Sequence, residues 1–215
     1  MISERESAGY LVGETTHLLR VNGGIALAAL CVMTILGTVG DLYPGFAGIS
    51  GIASFFVTLA FQYEISRTLL VHYDLIDGRP SRRRLWALLG VNLISGLGIV
   101  LSLLIFILPG VYLIVRWSAA VPALIAEDSG VYESLGLSAE AVDGRFWHIF
   151  AAILVVWAPC LAGLIASDLV PEGATLIEGL VNNLSVNLSL IAGWHLAVAI
   201  YAGRQDGGRL AEVFA

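Results

Sequence analysis

From Leu85 to Val115 the chain carries no charged side chain. A helix needs about 20 apolar residues to cross the hydrocarbon core of a bilayer. The stretch is therefore too long for one crossing and too apolar for a helix that faces water, so it must double back. Pro109-Gly110 is the natural place: proline is costly in a helix interior, and glycine allows a sharp reversal. The expectation is one span over 85–108 and another over 109–126. The second is short and contains Arg116 and Pro122, and a re-entrant hairpin is its alternative.

The remaining apolar blocks fall at about 22–40, 47–69, 146–167 and 178–202. Charged residues are 13% of the chain and hydrophobic ones 58%. A soluble domain carries about a quarter charged residues, so polar surface is too scarce here to cover a water-soluble globule. Two further helices are amphipathic. Near the N-terminus, Tyr10, Leu11, Thr15, Leu18 and Leu19 share a face, which predicts a surface helix feeding the first span. Over 130–142, Val131, Leu135, Ser138 and Val142 oppose Glu133, Gly136 and Glu140, and Asp143-Gly144 ends the helix. That helix is expected to lie flat on the cytoplasmic surface, followed by an interfacial anchor of Arg145, Phe146, Trp147 and His148. The fold class expected is an all-α integral membrane protein: one polytopic domain with six transmembrane helices, a short cytoplasmic amphipathic helix and an amphipathic N-terminal helix.

All eleven basic residues are arginine. Arg5 and Arg20 precede the first span, Arg79 and Arg82–Arg84 fill the loop between the second and third, Arg145 closes the loop before the fifth, and Arg204 and Arg209 follow the sixth; Arg67 and Arg116 lie within the second and fourth spans. The segments near 41–47 and 167–178 contain none. The positive-inside rule then places both termini in the cytoplasm. Arg79, Arg82, Arg83 and Arg84 form the one basic cluster, which fixes topology and offers contacts to anionic lipid headgroups. The net charge of −6 gives no reason to expect a nucleic-acid partner.

Polar residues inside apolar spans are expensive, and so are candidates for function. Here they are Glu64, Arg67, Asn92, Arg116, Asn183, Asn187 and His195, with Glu127 at a helix exit. Depth along the spans suggests that Arg67 pairs across helices with Glu64 or Glu127, near His195. It also suggests that Arg116 turns inward to Asn183 and Asn187. The alternative for each is that it reaches separately to the interface. Small residues recur every four positions as Ser185, Ser189, Gly193 and Ala197, and as Ala158, Ala162 and Ala166, which predicts two helix contact faces. Cys31 and Cys160 read as small apolar residues inside spans. The sequons at Asn183 and Asn187 lie within a span, so they do not read as glycosylation sites.

Three pieces of this chain, LPGVYLIVRWS, the exit from Pro122 to Glu127, and SLGLSAEAVDGRFWHIF, resemble a known membrane domain. It is the one fused to some bacterial glycerophosphodiester phosphodiesterases, and stand-alone YciC-like inner-membrane proteins share it. Pro109, Gly110, Arg116, Glu127, Ser138, Gly144, Arg145, Phe146 and Trp147 match its pattern residue by residue. The family usually has a basic residue before that serine and an aromatic one after it, where this chain has Leu137 and Ala139. The resemblance implies a six-helix protein of the bacterial inner membrane. It implies no chemistry, because in the fused relatives the phosphodiesterase activity belongs to a separate soluble barrel.

No loop carries a nucleophile–base pair or a His/Asp cluster, so neither an enzyme nor a cofactor is expected. The expectation is a non-enzymatic module that interacts with the lipid bilayer, with anionic lipids and with a membrane-protein partner of unknown identity. The alternative is a small-solute or ion transporter or channel using Arg116, Glu64, Asn183, Asn187 and His195. Against it, the sequence shows no inverted repeat.

Overall fold

The structure is a computed structural model that describes residues 7–77, 82–171 and 173–213, the segments 82–84 and 206–213 by backbone alone. Most of the described residues are helical, and none forms a strand. In chain order the helices are α1 (Ala8–Val21), α2 (Gly23–Leu42), α3 (Ala47–His72), α4 (Arg82–Ile105), α5 (Ile107–Arg116), α6 (Ala120–Glu127), α7 (Val131–Val142), α8 (Phe146–Ser167) and α9 (Thr175–Val213). Six stretches are long and apolar enough to cross a membrane: α2, α3, α4, α5 with α6, α8 and α9. This is the all-α, membrane-type fold the apolar blocks imply.

α9 is the central post and touches α1, α2, α3, α6, α7 and α8. Of its most apolar stretch 67% is buried, against 28% for α2 and 6% for α3. Its sequence explains the position. In lipid, large apolar side chains gain little by leaving one oily phase for another, so small and polar residues turn inward. Asn187, Ser189 and His195 are accordingly buried on α9, while Leu104, Ile107, Leu108 and Leu169 point outward on other elements. The helix also runs past the expected end at 202 to Val213.

Glycines set the closest approaches. A Cβ on Gly163 of α8 would sit 2.1 Å from the Ser185 hydroxyl of α9. One on Gly37 of α2 would sit 2.1 Å from the Asn183 amide oxygen. Ser185 and Ser189 thus face α8 as their spacing suggests. The expected α8 stripe does not: Ala158, Ala162 and Ala166 are exposed, and the buried face runs through Ile149, Ala152, Val156 and Gly163. Pro159 lies inside α8. Beside it, the Cys160 amide donates to Ser189 Oγ across the interface at 2.9 Å, a neighbour serine serving backbone next to a helix proline. Cys31 is exposed on the outer face of α2 and Cys160 is half-buried, and both are free.

Both amphipathic helices pack on protein. α1 buries Leu11, Thr15 and Leu18 and lies against α8 and α9, with Glu14 bonded to the Tyr73 hydroxyl beyond α3. α7 presents the apolar face expected and ends at Gly144, whose φ of 76° is the left-handed cap its sequence predicts. The apolar face of α7 is turned to the bundle, where the expectation has it turned to lipid. Ser134, Leu135, Ser138, Ala141 and Val142 are buried by α4, α5, α6 and α9, so its apolar face is already occupied.

Candidate functional site at a broken helix

The reversal after α4 occurs at Phe106, which is extended (φ −153°, ψ 138°), not at Pro109-Gly110. Pro109 falls in the first turn of α5, where a missing N–H costs nothing. Gly110 serves packing instead of turning: a Cβ there would lie 2.4 Å from the Leu103 side chain of α4.

The fourth apolar segment, marked in the sequence as short and interrupted by Pro122, is broken in its middle. Pro122 cannot donate to the Ser118 carbonyl, and its ring clashes with that carbonyl in a continuous helix. α5 accordingly stops at Arg116 and α6 restarts at Ala120, with Pro122 in its first turn. The break leaves the Arg116 carbonyl and the Ala119 amide without helical partners. One side chain serves both: the fully buried Ser138 hydroxyl of α7 donates to the Arg116 carbonyl at 2.8 Å and accepts from the Ala119 N–H at 3.0 Å.

Ion pairs and backbone bonds strap α7 into this position. Arg116 pairs with Asp143 at the end of α7 and lies over the Tyr112 ring, 5.7 Å from its centroid. Arg204 on α9 pairs with Glu140 at 2.8 Å. Arg145 donates to the carbonyls of Ala141 and Ile200 at 2.6 and 3.2 Å.

Beside the break lies a cavity of about 140 Å³ between α3, α4, α6 and α9. Trp117 and Ser118 of the break line it, with Gln62 and Ser66 from α3, Asn92 and Ser95 from α4, and Trp194 from α9. Asn92 Nδ2 donates to Gln62 Oε1 and to the Leu88 carbonyl, both at 3.0 Å. Ser95 and Ser118 donate back to their own helices, to the carbonyls of Val91 and Val115. No lining residue is charged. A second concavity, about 690 Å³ and open, runs between α5 and the start of α8. Its walls are Leu108, Pro109, Val111, Tyr112, Phe146, Trp147 and Phe150, with Tyr112 stacked on Phe146.

The residues singled out in the sequence are dispersed. Arg67 pairs with Glu64 at 2.6 Å within α3, three residues apart. Glu127 instead accepts from the Tyr201 hydroxyl at 2.5 Å and from Gln205 at 3.1 Å. His195 is fully buried, its Nδ1 2.8 Å from the Ile191 carbonyl. Asn183 donates to Asp41 at 2.7 Å and Asn187 to Thr34 at 3.4 Å, both on α2, so neither meets Arg116. Among those whose side chains are described, only Asn92 lines the cavity. Arg79 lies outside the described residues, as do the side chains of Arg82, Arg83 and Arg84. Sequence reasoning missed Gln62, Ser66, Ser95 and Ser118. Their signal was present, since Gln62 and Ser66 are four apart in an apolar helix, Asn92 and Ser95 three apart, and Pro122 sits four residues after Ser118. Comparison with protein-family models, with curated proteins and with solved structures finds no match.

Proposed function

We propose that this chain is a non-enzymatic module of the bacterial inner membrane that works by holding lipid, with both termini in the cytoplasm. The observation that carries the reading is the open groove between α5 and α8. Its seven lining residues are apolar or aromatic, its volume is about 690 Å³, and it faces outward from the bundle. On a helix set of membrane length, the medium outside such a groove is acyl chain. Aromatic side chains at its edge suit the headgroup boundary, and Trp147 is 73% exposed there. Anionic headgroups at Arg79 and Arg82–Arg84, and a membrane-protein partner, belong to the same proposal. So does kinship with the membrane domain of glycerophosphodiester phosphodiesterases, which rests on the motif residues named above.

The test is saturable photocrosslinking in detergent, with a phospholipid that carries a diazirine in its acyl chain. Label should concentrate on peptides covering 107–112 and 146–150, and fall when Val111→Trp fills the groove. Label spread evenly over all outward-facing helices, unchanged by that substitution, would refute lipid holding at this site.

A transport reading draws on one observation, the polar cavity beside a helix break, which is how many transporters build a solute site. The residues first suggested for transport, Arg116, Glu64, Asn183, Asn187 and His195, do not line that cavity.

A further inference from the structure

Non-helical backbone at membrane depth is tolerated where it is buried in protein or lines a polar space. The break between α5 and α6 does both, because Ser138 satisfies one side and the cavity opens on the other. What the cavity offers can be deduced group by group. The Leu88 carbonyl can only accept, which fixes Asn92 with its NH₂ toward Leu88 and Gln62. Both Asn92 hydrogens are then engaged and its Oδ1 is left over. Gln62 accepts through Oε1, so its NH₂ is left over. Gln62 is 8% exposed and Ser66 1% exposed. Among the described residues, neither the Gln62 NH₂, the Asn92 Oδ1 nor the Ser66 hydroxyl has a hydrogen-bond partner, and all three residues line the cavity. A buried amide–amide pair thus presents one free donor group and one free acceptor, with a hydroxyl beside them.

A primary amide is the complement of that set: its carbonyl accepts where Gln62 donates, and its NH₂ donates where Asn92 accepts. The absence of a charged wall disfavours an ion, whose desolvation would go uncompensated. Size points the same way. An apolar cavity of about 150 Å³ is known to admit benzene, so about 140 Å³ suits a molecule of roughly that size. We propose that the cavity at the α5–α6 break binds a small, uncharged primary amide through Gln62, Asn92 and Ser66.

The site is independent of the lipid groove and is tested separately. Purified protein in nanodiscs is titrated with propionamide and with methyl acetate, which has the same number of heavy atoms and no N–H, using saturation-transfer NMR. Propionamide should show saturable transfer and methyl acetate none. Gln62→Leu should weaken propionamide at least tenfold, and Ala197→Leu, which fills the cavity from α9, should abolish it. Equal behaviour of the two probes in wild-type protein overturns the proposal, whether or not the variants fold. So does propionamide binding that persists in well-folded Ala197→Leu, or no saturable binding at all, which would leave a cavity filled by water.

Discussion

Ser138→Ala is the sharpest perturbation of the break. It removes one hydroxyl and strands two backbone groups, the Arg116 carbonyl and the Ala119 amide, both served by Ser138 at 2.8 and 3.0 Å. A buried polar group left without a partner costs about 1–3 kcal/mol. Trp117 and Ser118 border the cavity, so water from that side can relieve one of the two. The expected loss is about 1–3 kcal/mol, that of the group left stranded. Ser134→Ala provides the contrast. That hydroxyl is equally buried on the same helix, but it only donates to the Val131 carbonyl within α7. Its removal strands no group that lacks a helical partner and should cost about 1 kcal/mol or less. Ser138→Cys, a weaker donor and acceptor, should fall between. Equilibrium unfolding in mixed micelles, with SDS as denaturant, measures all three. A Ser138→Ala loss within about 0.5 kcal/mol of the Ser134→Ala loss would mean that the hydroxyl does not complete the broken helix.

Two further outcomes follow from the packing and a third from the proposed orientation. In a double-mutant cycle, Arg116→Leu should couple to Asp143→Asn by about 0.3–1 kcal/mol, since the pair is partly exposed, and should be additive with Asn183→Leu; stronger coupling to Asn183 would restore the inward pairing. Gly163→Ala forces a Cβ to 2.2 Å from Ser185 Cβ and should cost about 1–3 kcal/mol, part of it recovered by Ser185→Gly. Gly136→Ala, which meets nothing within 4 Å on α7, should be neutral or stabilise by up to about 1 kcal/mol, and the same sign for both glycines would undo the packing argument. In protein lacking Cys31 and Cys160, an impermeant thiol reagent applied to intact cells should label Glu172→Cys and spare Ser81→Cys; the reverse pattern would invert the proposed orientation.

How much was legible follows from what the bilayer imposes. Span number is set by thickness, so a count of apolar residues finds the helices, and α2, α3, α8 and the start of α9 lie within a few residues of where the blocks predict. Breaks were less legible, because a proline marks a place where a helix cannot continue into it, not the residue at which it turns. Pro109 and Pro122 both sit in first turns, so each break lies about three residues upstream of its proline. Partners were least legible. Depth along a span says how far a side chain is from a surface and nothing about the direction it faces, which is why Arg116 at the right depth for Asn183 faces Asp143 instead. Ser138 was legible as a core position of α7 by its period, but its role depends on a break in another helix.

The same distinction separates the polar residues that hold this fold from those left for a ligand. An intramembrane polar group is a functional candidate because it is costly unless partnered. Glu64 and Arg67 answer each other within one turn, Asn183 and Asn187 fasten α9 to α2, and Arg116 ties the break to the end of α7. Each is accounted for by a partner on the chain. The less conspicuous residues, an amide and a hydroxyl on α3 and an amide on α4, converge on one space and retain unused donors and acceptors there. Charge drew the eye to the first group because charge is rare in this sequence. Unfilled hydrogen-bonding capacity around a shared cavity is the better guide to a site, and it points to Gln62, Ser66 and Asn92.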